Sequence, residues 1–177
     1  MSAIVNEKKI IHQARIFTLM RENVTLQNGS TVNLDIIRHP GATAIVPFLS
    51  SDTVLLLNQY RHAIGRFIWE IPAGTLDPNE DPLSCAKREL QEETGYIANT
   101  WKPLGKIVPV PGYSDECIHL YIAYDLIQGT QKLDKDEVLH VHPIHFEKAL
   151  KMITTNEILD GKTITGLLLA KQLGTFF

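Results

Sequence analysis

Cysteine is scarce in this chain, whose 177 residues include only Cys85 and Cys117. The two form no Cys-x-x-Cys pair, and the spacing of a thiolate zinc site cannot be built from them. We therefore expect two reduced cysteines with structural roles.

An excess of basic charge is also lacking, because 17 Lys and Arg face 20 Asp and Glu, for a net charge of −3. That balance gives no electrostatic footprint for a nucleic-acid backbone. No apolar stretch approaches the ~20 residues of a membrane helix. The start, MSAIVNEKKIIHQ, lacks the basic residues and apolar run of a signal peptide. We expect a cytoplasmic protein without nucleic-acid or membrane partners.

The patterns that are present predict strands and helices in irregular succession. Asn28-Gly29 is a strong hairpin signal, and the following TVNLDII alternates as a half-buried strand does. ATAIVPFL and TVLLLNQY, separated by SSD, predict a second hairpin. Further strands are predicted at RFIWEIPAG and IHLYIAYDL, and helices at FEKALKMITT and KTITGLLLAKQL. This order favours an α+β fold. Residues 1–39 are predicted to form N-terminal strands, as a small subdomain or part of a dimer interface, before a domain at 40–177.

One predicted helix is unusually rich in charge. Asp81 is placed to cap it, Pro82 suits its first position, and Gly95 is suited to end it. Within it, KRELQEETGY brings Glu89, Glu92 and other acids onto ten positions.

Three of these acids are surface neighbours on such a helix. Glu89, Glu92 and Glu93 are three or four residues apart, and like charges at that spacing destabilise a helix by roughly 0.2–0.5 kcal/mol per pair. Arg88 offsets part of this cost. Local stability does not explain the cluster, whereas a hard divalent cation such as Mg²⁺, which takes carboxylate ligands, would. A solvated charged face is the alternative for the glutamates alone.

The flanking spacing resembles the Nudix box. Gly74, five residues, Glu80 and seven residues precede Arg88-Glu-Leu-Gln-Glu-Glu-Thr-Gly-Tyr96, which matches at every fixed position. The resemblance implies an α/β/α sandwich with a mixed sheet, a Nudix-box helix, and an N-terminal antiparallel strand subdomain. It also implies hydrolysis of a nucleoside diphosphate linked to another moiety, with Mg²⁺ or Mn²⁺ as cofactor.

The resemblance also implies a role for each position of the box. It gives metal binding to Glu89, Glu92 and Glu93 and to the Ala73 carbonyl, with Glu92 also counted as catalytic. It gives structural roles to Gly74, Glu80, Arg88 and Gly95, with metal binding through water as the alternative for Glu80.

Two further segments resemble one branch of that family, the ADP-ribose and nucleotide-sugar pyrophosphatases. They are RHPGATAIVP and PVPGYSDECIHLYIA, the latter with Pro111, a structural position, fifteen residues beyond Tyr96. With the box, the similarity spans roughly residues 36 to 126. A homodimer is implied, with the N-terminal strands exchanged or packed between subunits.

Substrate contacts are predicted at three positions outside the box. Arg61 ends an apolar strand, where a guanidinium could reach a diphosphate, and a surface ion pair is its alternative. Glu116 follows a Pro-Gly turn and could accept hydrogen bonds from sugar hydroxyls, or be a surface acid. Arg38 ends the LDIIRH strand and could contact substrate across a dimer.

A general base is sought on a late loop, as in the branch this sequence resembles. LDKDEVLHV supplies Glu137 as first choice and Asp136 as second, with a solvated charged turn as the alternative. Water acidified by the metal alone could also suffice. His140 and His142 lie at strand spacing, but no third ligand for a zinc site is evident. Phe17 is a candidate by position for holding a base, although core packing is favoured.

The sequence therefore predicts a metal-dependent pyrophosphatase. Its substrate would be a nucleoside diphosphate sugar of the ADP-ribose type, cleaved to a nucleoside monophosphate and a sugar phosphate. The alternatives are GDP-mannose or another nucleotide-linked diphosphate, and a nucleotide sensor of the same fold without turnover.

Overall fold

The computed structural model describes residues 3–174, and within that range there are ten strands and three helices. The strands are β1 (Ile4–Gln13), β2 (Thr18–Thr25), β3 (Thr31–Arg38), β4 (Ala42–Ser50), β5 (Thr53–Arg61), β6 (Arg66–Glu70), β7 (Ala73–Thr75), β8 (Tyr96–Ile107), β9 (Ile118–Gln128) and β10 (Leu139–His145). The helices are α1 (Pro82–Thr94), α2 (Phe146–Thr154) and α3 (Gly161–Leu173). None of the helices in residues 3–174 is long and apolar enough to cross a membrane.

These elements divide into two compact units. One holds the described residues up to Gly41 together with Val108–Cys117, and the other holds Ala42–Ile107 and the described residues from Ile118 onward.

The first unit is built on a three-stranded antiparallel sheet in the order β1-β2-β3. The predicted Asn-Gly hairpin is confirmed between β2 and β3. Gly29 has φ of 84°, a left-handed conformation that glycine adopts without steric cost, and the Asn28 side chain accepts a hydrogen bond from the Ser30 N–H at 3.0 Å. Every residue of β1 is exposed, including Ile4, Ile10 and others of its apolar side chains.

The second unit contains a seven-stranded mixed sheet. Its main order is β10-β5-β4-β9-β8, with β6 paired to β5 and β7 paired to β4. The β4–β9 pair is parallel and the other pairs are antiparallel. The predicted second hairpin is confirmed as β4 and β5. The apolar runs on either side of the turn form these two adjacent and largely buried strands.

Helices cover both faces of this sheet. The side chains of β4 alternate between two apolar clusters, since Val46 packs with residues of α2 and α3 while Ile45 packs with Ala86 and Leu90 of α1. The α/β/α sandwich and the α+β class are therefore confirmed.

Two details of the sheet differ from the sequence prediction. RFIWEIPAG forms two strands rather than one, because the chain leaves β5 after Glu70 and pairs with β4 from Ala73 onward. Strand β8 was not predicted, since Pro103 and Gly105 interrupt its pattern. In the structure these residues flank a register shift in its pairing with β9.

Candidate active site

Helix α1 is defined at both ends by its own sequence. The Asp81 carboxylate accepts hydrogen bonds from the Leu83 and Ser84 N–H groups at 3.0 and 3.3 Å, and Pro82 occupies the first turn. At the other end Gly95 has φ of 75° and donates its N–H to the Gln91 carbonyl at 2.8 Å. These caps fix where the helix begins and ends, and its apolar residues Ala86 and Leu90 set the face that packs on the sheet.

Two of the box glutamates are deeply buried. Glu93 is 1% exposed, and one oxygen accepts the Ala73 N–H at 2.8 Å. Glu89 is 8% exposed. Burial raises the pKa of the Glu89 carboxyl to about 7 and that of Glu93 well above its ordinary value. The site thus concentrates carboxylates whose cost of desolvation is not fully offset by hydrogen bonds and cations within the fold.

Arg88 connects most of the box acids. Its Nε and Nη2 contact both oxygens of Glu80 at 3.0 and 2.9 Å, and its Nη1 reaches Glu89 at 2.5 Å and Glu92 at 3.1 Å. Hydrogen bonding to Arg88 is the main cause that lowers the pKa of Glu80 to about 2. Glu80 also accepts the Asp77 N–H at 3.0 Å, so this pair braces the loop before the helix.

Gly74 allows a close approach between strand β7 and the Glu89 side chain of helix α1. A Cβ atom placed there would lie 1.8 Å from Glu89 Oε1 and 1.9 Å from its Cδ. Any side chain would therefore displace the Glu89 carboxylate, which explains the glycine by close packing rather than by backbone conformation.

The loop that carries the candidate base is attached to the end of α1. The Lys132 N–H donates to the Glu92 carbonyl at 2.9 Å, and the Gln131 side chain donates to the Glu93 carbonyl at 2.6 Å. These bonds use helix carbonyls that have no partner within the helix. Gln131 was missed by the sequence reasoning, because nothing near it in the sequence indicates its partner.

The negative charge of Glu137, the first-choice candidate base, acts on two acids of helix α1. Burial is the main cause of the raised pKa values of Glu89 and Glu93. The negative charge of Glu137 raises both pKa values further. Its own Oε2 accepts the Asp134 N–H at 2.9 Å, which orients the carboxylate. Asp136 is exposed.

The donor set fits a hard divalent cation. Glu89 and Glu93 offer buried carboxylate oxygens whose mutual repulsion and desolvation a cation would relieve. Within residues 3–174, no three His, Cys, Asp or Glu side chains converge to hold a metal, and Arg88 contacts Glu89 and Glu92 instead. Metal binding at Glu89 would therefore compete with Arg88 for one of its oxygens.

Arg61 is held on the same sheet by an acid that the sequence reasoning overlooked. Its Nε and Nη2 each contact Glu70 at 2.7 Å, and 40% of the Arg61 side chain remains exposed. Hydrogen bonding to Glu70 is the main cause of the raised pKa of Arg61, and the charge of Glu93 also contributes. Glu70 could have been suspected, because a lone acid inside the apolar run RFIWEIPAG needs a partner once buried.

The other predicted substrate contacts lie in the first unit. Arg38 donates to the buried Glu22 at 2.7 Å and to Asp115 at 3.1 Å. Asp115 also accepts the His39 N–H at 2.8 Å, and Glu116 lies 3.9 Å from His39 Nδ1. Within this unit Arg38 therefore joins strand β3 to the segment before β9.

Pro111 lies in the turn of that segment. The carbonyl of Val110 accepts the N–H groups of Tyr113 and Ser114 at 3.2 and 3.0 Å. The turn thus returns the chain toward β3, where the Ile37 N–H donates to the Tyr113 carbonyl at 2.8 Å.

The histidines of β10 contact aromatic rings. His140 stacks on Phe67 with ring centres 6.1 Å apart, and His142 meets Trp69 edge-on at 5.1 Å. Their alternation along β10 brings both rings against aromatic side chains of β6, which like β10 pairs with β5.

Comparison with known proteins finds relatives over nearly the whole chain. Residues 38–164 match the NUDIX domain family. The ADP-ribose pyrophosphatase of Bacillus subtilis (strain 168) is 35% identical over 158 residues, which cover 88% of this chain and 85% of the relative. The methanol dehydrogenase activator of Bacillus methanolicus is 37% identical over 170 residues, covering 93% and 92%.

A solved structure described as an ADP compounds hydrolase has the same fold. Its TM-score is 0.85 at 21% identity, over 98% of this chain and 94% of that chain.

Proposed function

The chain belongs to the NUDIX domain family, and we propose that it hydrolyses the diphosphate bond of a nucleoside diphosphate sugar such as ADP-ribose. The products are a nucleoside monophosphate and a sugar phosphate. The observation that carries this proposal is the pair of buried carboxylates, Glu89 and Glu93, beside the acid Glu137 and the cation Arg61. An ADP-ribose pyrophosphatase among the relatives supports the choice of substrate class.

Hydrolases of this family generally use divalent metals, and Mg²⁺ is the ion proposed here, with Mn²⁺ as a substitute. Glu89, Glu93 and Glu92 would hold it, with the carbonyl of Ala73. When bound, such an ion neutralises charge on the diphosphate and increases the acidity of water. The oxygen-only donors suit Mg²⁺ better than softer metals.

The chain's own residues then supply orientation and proton transfer. Glu137 takes a proton from the attacking water as the oxygen of that water forms a bond to one phosphorus. The bond from that phosphorus to the bridging oxygen breaks, and the second phosphate leaves with the electron pair. Arg61 offers the N–H groups that Glu70 does not use, and these can bind diphosphate oxygens.

A homodimer formed through the N-terminal strands of residues 1–39 is part of the proposal, with residues 40–177 as the hydrolase domain. Ile4, Ile10 and Ile11 of β1 are 65%, 56% and 43% exposed, which is a large apolar area for one strand. Sedimentation velocity tests this directly. A single monomeric species at micromolar concentration would contradict it.

The first test is a substrate panel with Mg²⁺. It contains ADP-ribose, GDP-mannose, ADP-glucose, UDP-glucose and NADH, scored by phosphate released after addition of a phosphomonoesterase. We expect ADP-ribose to be the best substrate and Glu93→Gln to abolish its turnover. Preference for GDP-mannose would redirect the substrate assignment. Binding without turnover of any compound would favour a sensor over an enzyme.

A second candidate function follows from another relative, the methanol dehydrogenase activator. In this alternative the chain acts on a dehydrogenase. Adding the purified chain to a methanol dehydrogenase tests it, with Glu93→Gln as control. Activation by both proteins would mean that the effect does not depend on the carboxylate site.

A further inference from the structure

Lys162 occupies a position that local helix physics disfavours. It is the second residue of α3, where the positive end of the helix dipole repels a cation. Its side chain is nevertheless only 13% exposed. A largely buried lysine ammonium at a helix N-terminus needs a compensating interaction elsewhere in the fold.

That compensation comes from two carboxylates. The Lys162 ammonium group contacts the Glu70 carboxylate and lies 3.1 Å from Asp160 Oδ2. Asp160 caps α3 by accepting the Thr163 N–H at 2.9 Å and its hydroxyl at 2.6 Å. The Thr163 hydroxyl oxygen in turn accepts the Ile71 N–H at 2.8 Å, next to Glu70 in the chain. The start of α3 is thus bonded to the end of β6.

Glu70 contacts two cations. It is 1% exposed, its two oxygens each accept a hydrogen bond from Arg61, and Lys162 contacts Oε2 as well. Although burial works in the opposite direction, Arg61 and Lys162 hold the pKa of Glu70 below its ordinary value. The carboxylate is therefore ionised and fixed in the orientation that the planar Arg61 fork requires.

Only part of the Arg61 guanidinium is used by Glu70. The pair occupies two of its five N–H groups, and the charge of Glu93 acts on the same guanidinium. A series of charges, Lys162 to Glu70 to Arg61, therefore leads from the start of α3 to the acids of α1.

We propose that Lys162 is a positioning residue for Arg61, acting through Glu70 to hold the free edge of the guanidinium toward the substrate diphosphate. The identity of that ligand rests on the proposed function. Removing the ammonium takes away the contact that holds the Glu70 carboxylate in place, so the carboxylate can rotate and its fork with Arg61 opens more often.

The test observes Arg61 itself in the ¹⁵N-labelled full chain. The side-chain Nε–H signal of Arg61, assigned by its loss in Arg61→Lys, should exchange slowly with water in the unaltered protein. Lys162→Met should speed that exchange, and Lys162→Arg should restore protection. Lys162→Gln gives the same comparison if the methionine variant does not fold. The matched control is Lys171→Met on the same helix, whose partner Glu147 is exposed.

Kinetics with ADP-ribose provide the second readout. Losing one charged hydrogen-bond partner should raise KM about tenfold with little change in kcat. Unchanged exchange of the Arg61 signal in Lys162→Met would overturn the proposal. Faster exchange with an unchanged KM would overturn the link to the diphosphate. Faster exchange in a protein that cleaves no diphosphate sugar would support the positioning role and reject the proposed function.

Discussion

Replacing Glu89 by glutamine should stabilise the metal-free protein at pH 8, although it removes a proposed metal ligand. The glutamine has the shape of a protonated glutamic acid. It therefore removes the cost of keeping a charge that is desolvated by burial and repelled by Glu92 and Glu137.

The size of the effect follows from the pKa of Glu89, which is about 7 in the fold against an ordinary value of 4.5. Between these pH values the folded protein keeps a proton that the unfolded chain has released. The stability linked to that proton is complete below pH 4.5 and is lost as the pH rises through about 7. The ionised carboxylate thus lowers the free energy of unfolding by about 3 kcal/mol at pH 8 and by less than about 1 kcal/mol at pH 5.

Thermal unfolding in the presence of a chelator measures this difference. For a chain of this length, about 3 kcal/mol corresponds to roughly 6–12 °C in Tm. Glu89→Gln should therefore raise Tm by up to that amount at pH 8 and by much less at pH 5. The matched control is Glu92→Gln. Glu92 lies on the same helix and is also bonded to Arg88, but its own side chain is 37% exposed.

Addition of Mg²⁺ at pH 8 should reverse this order, so that the unaltered protein becomes more stable than Glu89→Gln. The unaltered protein gains stability that rises with the logarithm of its metal affinity, and the variant, which binds the metal more weakly, gains less. Two results would refute the reasoning. One is a lower Tm for metal-free Glu89→Gln at pH 8. The other is an equal gain at both pH values, which would mean that charge burial is not the cause.

Three further predictions concern the rest of the site. Gly74→Ala should weaken Mn²⁺ binding by about 10–100-fold in a spin-resonance titration, because its Cβ displaces Glu89; unchanged affinity would contradict this. Glu137→Gln should lower kcat by about 10²–10⁴-fold while Asp136→Asn changes it little, and equal losses would exclude Glu137 as the only base. Arg61→Lys should raise KM for ADP-ribose about tenfold, since lysine cannot reproduce the bidentate fork; an unchanged KM would place the diphosphate elsewhere.

The parts of the structure that were predictable depend on neighbours in sequence. Asp81, Pro82 and Gly95 specify the ends of α1 through bonds that span at most four residues. Asn28-Gly29 specifies a turn through the backbone freedom of glycine. In such cases the interacting groups are already close in the unfolded chain, so the residue types alone are informative.

The parts that were not predictable depend on distant partners. Strand β8 exists because β9 supplies its hydrogen bonds, although Pro103 and Gly105 weaken its own strand pattern. The sequence predicts a substrate contact for Arg61, with a surface ion pair as the alternative. The structure pairs it with Glu70, and its contact with a diphosphate stays a prediction. Arg38 likewise stays a predicted substrate contact, with Glu22 and Asp115 as its partners in the fold.

By itself the sequence determined the helix that carries Glu89, Glu92 and Glu93, the glycine beside it, and the class of chemistry that such acids allow. Periodicity and capping act over a few residues, and they suffice for that. Only the tertiary structure decided that Glu89 and Glu93 are buried, that Glu137 acts on both, and that Lys162 contacts Glu70. Burial and charge pairing arise when residues up to 92 positions apart come together, and their energies depend on that surrounding rather than on residue type.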